Sequence, residues 1–399
     1  MVTTRKRKTD HSVIVLLVED MATPAGNPET SPAAPNADAI QAGLFTSRYS
    51  AGEGNPQEDF DFIELVIADD LSIGSVLRAR VRRISPRTFI GRGKVNEVAE
   101  AVRRVQPVAV VTNARLSPVH QRNLEEEWNS RVLTRADIIF DIFERNASSA
   151  EGKLQVELAR LSYELPRVTG VGKELSRTGG DLGTRGGGGE QVTARTKDRI
   201  RKRIRQLESR VEKLKKVREL RRKRRVRTGM FTVSLIGYTN SGKSSLLNVL
   251  TKSHADVAER YFTTLDPTSR SLCLGGGTRI VLSDTVGFLN DLPPELNAAF
   301  RATMEEVAES DLLLHVVDAS RENIQFRLES GSRILKEYGF SAIPRVVVFN
   351  KTDLLDDEEY IERLLEQIPG SVAVSACTGE GLEQLMRLLR REASAQVRS

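Results

Sequence analysis

Between the apolar run MFTVSLIG and a helix expected from Lys243 lies GYTNSGKSS, in which Gly237 is followed by four residues and then Gly242-Lys243-Ser244. This spacing suits phosphate chemistry. Glycines let backbone N–H groups turn inward around phosphate oxygens, and the first turn of the following helix favours an anion. Lys243 adds a point charge for β- and γ-phosphates, and the Ser244 hydroxyl is a ligand for Mg²⁺. Tyr238, Thr239, Asn240 and Ser241 complete the loop. An ordinary glycine-rich turn is the competing reading.

Downstream, Asp284-Thr285-Val286-Gly287 closes the next expected parallel strand. Asp-x-x-Gly alone carries little information. Beyond a phosphate loop, however, the carboxylate suits contact with Mg²⁺ through bound water, and the Gly287 N–H suits a γ-phosphate oxygen. Thr263 and Thr264 lie between the two motifs in YFTTLDPTSR; by position Thr264 is the hydroxyl that closes onto Mg²⁺ when a γ-phosphate is present. Phe288 follows Gly287, where Ras-like enzymes keep the glutamine that orients the attacking water. Either the protein is not a hydrolase, or something else handles that water. The candidates are a K⁺ ion held beside the phosphates with help from Asn240, or a partner that completes the site; a plain loop-capping role for Asn240 stays open.

The base is specified further on. VVVFNKTDL ends a strand with Asn350-Lys351-Thr352-Asp353. The Asp353 carboxylate accepts from the ring N1–H and exocyclic amine of guanine, whereas adenine would leave it unpaired. Lys351 can lay its stem along the base, and Asn350 can tie neighbouring loops together. Ser375-Ala376-Cys377, after the last expected strand, offers a backbone N–H to the base oxygen.

These residues need an α/β frame. The 399-residue chain is long enough for two or three domains, and its charge of +6 is uneven, with a dense Lys/Arg excess over 194–228. Such a stripe faces polyanions, nucleic acid being the commonest, or is a solvated helix face. Two cysteines, Cys273 and Cys377, build no disulfide framework, and VIVLLV is too short for a secretory or membrane segment. The expected location is the cytoplasm, with no membrane span. Residues 1–59 read as one buried strand followed by an insertion rich in Pro, Gly and Ala; 60–146 alternate strand and helix as a small parallel α/β domain. Over 147–228, Leu154, Leu158, Leu161 and Leu165, then Ile200, Ile204, Leu207, Val211 and Leu214, suggest an antiparallel helical hairpin around a glycine-rich loop. That loop carries Arg167, Lys173, Arg177 and Arg185. From 229 to 399 a six-stranded sheet is expected, mostly parallel, with one antiparallel edge strand paired through Gly275–Gly277.

The segments FIGRGKVNEV, LSPVHQRNLEE, EGKLQVELARLSYELPR, GTRGGGGE, FTTLDPTSR and LSDTVGFLNDLPPELNAAFRATMEEV together resemble the HflX-type GTPases, relatives of the Obg group. The likeness spans about 89 to 390. It implies a P-loop Ras-like GTPase domain preceded by a small α/β domain and a helical hairpin, with GTP as substrate and Mg²⁺ as cofactor. It further implies binding to the large ribosomal subunit and its RNA, by a monomer that dissociates or rescues stalled ribosomes; a nucleotide-gated assembly factor is the alternative. Matched by position, nucleotide contacts would come from Gly237 to Ser244, from Phe262, Thr263, Thr264, Leu265 and Asp266, from Asp284 to Gly287, from Asn350 to Asp353, and from Ser375 to Cys377. Ser244 and Thr264 would hold Mg²⁺. The chain departs from the family where Gly186 to Gly189 replace the usual Gly-Pro-Gly-Glu, and where Asn290 and Pro294 replace Arg and His.

Overall fold

A computed structural model of the chain describes residues 12–20, 56–147, 149–168, 188–225, 230–251, 268–275, 277–288, 292–304, 307–321, 323–355 and 357–396. They fall into two compact units, divided between Ile142 and Phe143.

The first unit is built on a four-stranded parallel sheet, order β2-β1-β3-β4, from β1 (Ser12–Asp20), β2 (Ser72–Val81), β3 (Ala109–Thr112) and β4 (Arg131–Thr134). VIVLLV is apolar without alternation because β1 is central and covered on both faces. Ile14 and Leu16 join a cluster with Val98, Val102, Leu124 and Trp128, while Val13, Val15 and Leu17 are wholly buried on the other face. Helix α1 (Pro56–Ala68) precedes β2. Helix α2 (Arg92–Val105) buries Val95, Val98, Ala101 and Val102 at helical spacing. Helix α3 (Pro118–Trp128) starts on Ser117, whose hydroxyl accepts from the His120 N–H at 3.2 Å, with Pro118 in the first turn. Helix α4 (Arg135–Asn146) follows β4. The GRGK stretch forms no phosphate loop: it opens α2, and Lys94 is paired with Glu97 at 2.6 Å.

The second unit holds α5 (Ala150–Glu164), α6 (Gly188–Arg225) and a six-stranded sheet of order β10-β9-β8-β5-β7-β6. Its strands are β5 (Phe231–Ile236), β6 (Thr268–Gly275), β7 (Thr278–Asp284), β8 (Leu312–Asp318), β9 (Arg345–Asn350) and β10 (Val372–Ala373). All pairings are parallel except that of β6 with β7, so the antiparallel strand is at the edge. Helices α7 (Lys243–Thr251), α8 (Asn297–Met304), α9 (Ile324–Glu337), α10 (Glu358–Gln367) and α11 (Leu382–Gln396) accompany the sheet. Strand β5 lies between β8 and β7, where the strand order reverses. In open parallel sheets ligands bind in that crevice, beyond the carboxyl ends of the strands.

Helix α5 packs against α6, and Arg203 grips Glu157 through two bonds of 2.7 and 3.0 Å. The leucine stripe is not the buried face of α5. Leu154, Leu158, Leu161 and Leu165 are half-buried, whereas Gly152, Gln155, Val156, Ala159 and Tyr163 are buried. The reason lies across the helix: α5 also packs on α8 and on the 3-10 turn Pro294–Leu296. A helix wedged between two neighbours is covered on more than one stripe. Residues 169–187, which include Lys173, Arg177, Arg185, Gly186 and Gly187, lie outside the described residues, as do 21–55.

Candidate nucleotide site

The phosphate loop leaves the carboxyl end of β5 and feeds directly into α7. Its backbone is sharply turned. Asn240 adopts the left-handed region at φ 60°, a conformation asparagine tolerates better than most residues, which by itself accounts for the residue type. Gly242 has φ 87°, and a methyl group there would stand 2.1 Å from Asn350 Nδ2, so only glycine fits. The buried Lys243 Nζ donates to Gly237 O at 3.1 Å and Tyr238 O at 2.7 Å. Burial pulls its pKa down to about 8, a shift that Asp284 partly opposes. A desolvated cation in a ring of backbone groups is matched to an anion. The Ser241 hydroxyl is buried there too, with no hydrogen-bond partner among the described residues.

At the mouth of β7, Ser244 Oγ donates to Asp284 Oδ2 at 2.5 Å. A hydroxyl and a carboxylate side by side are oxygen donors of the kind Mg²⁺ takes. The donor set therefore fits a nucleotide phosphate with its cation. Thr285 and Val286 turn inward: the Thr285 hydroxyl donates to Leu235 O at 2.6 Å, and Val286 is wholly buried. Only their backbone is left to meet a ligand. Gly287 lies so close to the loop that a Cβ would meet Thr239 at 2.8 Å, which excludes every other residue from this backbone path. Phe288 then pairs with the loop as an isolated parallel bridge to Tyr238. Its N–H donates to Gly237 O at 2.8 Å, and its carbonyl accepts from the Thr239 N–H at 3.3 Å. The Phe288 side chain is fully buried, so it has no access to water. Phe262, Thr263, Thr264, Leu265 and Asp266 lie outside the described residues.

Two loops meet at the end where base recognition is expected. Asn350, nearly inaccessible, donates from Nδ2 to Ser241 O at 2.9 Å, and its Oδ1 accepts from the Ala376 N–H at 3.0 Å. One side chain thus joins the phosphate loop to the Ser375–Cys377 loop. Asp353 is exposed, and its carboxylate is steadied by Ser375 Oγ at 2.5 Å. Thr352 opens a short 3-10 turn, its N–H directed to Val374 O at 3.4 Å. The N–H groups of Ser375, Ala376 and Cys377 all have intramolecular acceptors: Glu380 O, Asn350 Oδ1 and Ser375 Oγ. The expected backbone N–H for the base oxygen is thus already engaged within the loop.

One contributor was invisible in the motifs. Asp318, at the carboxyl end of β8, holds Lys351 Nζ at 2.8 Å and accepts from Ser320 N–H at 3.1 Å and Ser320 Oγ at 2.6 Å. Burial alone would raise its pKa, but Lys351, Ser320 and Arg321 outweigh burial and hold the carboxyl below its ordinary range. The β8–β9 register places Asp318 opposite Asn350, so the signal was its position at the end of the strand beside the base motif.

Comparison with known proteins bears on most of the chain. Three family models match it: one described as GTP-binding GTPase N-terminal over residues 60–144, one as GTP-binding GTPase Middle Region over 146–225, and one as 50S ribosome-binding GTPase over 232–351. The GTPase HflX of Escherichia coli K12 is 38% identical over 363 residues, covering 90% of this chain and 84% of its own. That of Caldanaerobacter subterraneus is 38% identical, with 82% and 75% covered. Among solved structures, a GTP-binding protein from Sulfolobus solfataricus in complex with GDP is similar at 23% identity, 96% and 99% coverage and a TM-score of 0.46.

Proposed function

We propose a function from the premise that this chain belongs to the HflX family of GTPases: it is a GTP-hydrolysing factor that associates with the large ribosomal subunit and dissociates or rescues stalled ribosomes. The observation that carries this is the convergence of Lys243, Ser244, Asp284, Asn350 and Asp353 on one crevice at the reversal of strand order. Lys243 and the loop N–H groups would bind the β- and γ-phosphates of GTP, with Gly287 alongside, and Asp353 would select guanine. Ser244 and Thr264 would hold Mg²⁺, which supplies charge neutralisation as phosphate transfers to water.

Because Phe288 is buried, no side chain directly after Gly287 is placed to orient water. Hydrolysis therefore depends on help from elsewhere, and a ribosomal partner or a K⁺ ion beside Asn240 is the source we assign. The basic α6 is the surface offered to ribosomal RNA. No helix among the described residues is long and apolar enough to cross a membrane; we place the protein in the cytoplasm, as a monomer. The burial of Phe288 also suits the second reading, an assembly factor whose hydrolysis only ends the bound state.

Sucrose-gradient sedimentation of joined ribosomes with GTP or a non-hydrolysable analogue tests the proposal. Loss of joined ribosomes supports dissociation; subunit complexes without such loss support the assembly reading. Lys243→Ala is expected to abolish GTP turnover, and full activity in that variant would show the phosphate loop to be misassigned.

A further inference from the structure

Phe288 is held by more than its backbone. Its ring meets Tyr238 edge-on, with centroids 6.2 Å apart at 87°, and His315 at 6.1 Å and 69°. Tyr238 is braced in turn by Arg327 of α9, whose guanidinium carbon lies 5.2 Å from the ring centroid. The floor of this socket is Gly331, also on α9. A methyl group there would stand 2.6 Å from His315 Cε1, 2.7 Å from His315 Nε2 and 3.5 Å from Phe288 Cε2. The imidazole is thus confined between a bare stretch of helix backbone and the Phe288 ring.

His315 is out of place on stability grounds. It is wholly buried in the central strand β8, and neither ring nitrogen has a hydrogen-bond partner among the described residues. Burial, helped by the cations Arg345 and Lys243, depresses its pKa to about 3, so the ring is neutral. An unpaired polar group in such a site is destabilising. Its strand neighbours Leu313, Leu314, Val316 and Val317 show what the core otherwise selects. A flat five-membered ring, however, fills a narrow slot that a branched aliphatic side chain would fill poorly.

We propose that His315, seated on Gly331, is a positioning residue for GTP hydrolysis: it sets the depth of Phe288 and, through the Phe288 backbone, the place of Gly287 beside the phosphate loop. The mechanical link is short. Phe288 N–H and C=O are bonded to Gly237 and Thr239, and Gly287 has no clearance from Thr239. Movement of the Phe288 ring therefore displaces the one N–H expected to meet the γ-phosphate. The inference rests on the GTPase reading of this site.

The test compares the full chain with His315→Leu, Gly331→Ala, Phe288→Leu and the His315→Leu/Phe288→Leu double variant. Single-turnover GTP hydrolysis in K⁺ with large ribosomal subunits present, affinity for a fluorescent GDP analogue and thermal melting are measured for each. For His315→Leu we expect melting close to the parent's, because loss of the unpaired ring nitrogens offsets the poorer fit. GDP affinity should stay within about twofold, and hydrolysis should be slower by about fivefold or more. The double variant should be no slower than Phe288→Leu alone, because both changes act through one ring. Gly331→Ala should slow hydrolysis in the same direction; if it does not fold, His315→Leu still decides. Parent-like hydrolysis by folded His315→Leu, losses that multiply in the double variant, or turnover, affinity and melting that fall together would each overturn the proposal. A parent without GTP turnover even in K⁺ and with large ribosomal subunits present would instead overturn the GTPase reading.

Discussion

Asp318 shows how a residue outside every motif governs one inside it. Lys351 has a left-handed backbone (φ 65°), and Asp318 fixes its ammonium, so the lysine stem is held at the end of β8. Asp318→Asn removes the charge and leaves Lys351 poorly paired; we expect about tenfold weaker GDP binding and a stability loss of about 2 kcal/mol. The pH dependence follows from the sign of the shift. A carboxyl whose folded pKa lies below its ordinary value of 3.8 contributes stability above that pH and loses it as pH falls through the folded value. The parent–variant gap in chemical denaturation should therefore be full near neutrality and close below about pH 4. A gap that stays constant into acid would show that packing, not charge, is at work. For Asn240, turnover faster in K⁺ than in Na⁺, with the difference lost in Asn240→Ala, is the expected outcome. Equal rates in the two salts would leave the left-handed turn as the whole reason for that asparagine.

At the scale of elements, the strands and the sharp glycine turns after β5 and β7 were legible because their signals are local. A glycine spacing, an apolar run or a strand followed by Asn-Lys-x-Asp needs no knowledge of distant neighbours. The antiparallel edge strand was readable for the same reason, since Gly275 and Gly277 announce its hairpin. What the sequence hid was tertiary. The leucines of α5 promised a two-helix seam, but the contact with the Pro294–Leu296 turn and α8 moved the buried face onto Val156, Ala159 and Tyr163. The base loop concealed something similar: no spacing reveals that Asn350 already occupies the Ala376 N–H. Phe288 raised a question in the sequence, but its socket is drawn from residues 238, 315, 327 and 331 and appears only once β8 and α9 are packed.

For the molecule as a whole, charge and catalysis lie on different elements of one unit. The nucleotide crevice is lined by neutral loops and a few paired charges, while α6 exposes Arg199, Arg201, Lys202, Arg205 and Arg210. If that helix is the ribosome-facing surface, co-sedimentation with large subunits should weaken steeply with salt, because each neutralised phosphate releases a counterion. Arg201→Glu combined with Lys202→Glu should flatten the salt slope by about two and leave GTP turnover without ribosomes unchanged. An unaltered slope would move the RNA contact elsewhere. The contact of α5 with the turn at Pro294 carries a mechanical corollary. At 1.5 Å per residue, the 38-residue α6 is about 57 Å long. The shorter α5 touches both that rod and the segment just beyond Gly287 and Phe288, so it has the placement of a fulcrum. A tilt of only about 5° would carry one end of the rod about 5 Å relative to the other, amplifying ångström-scale events at a phosphate into displacements on the scale of a base step.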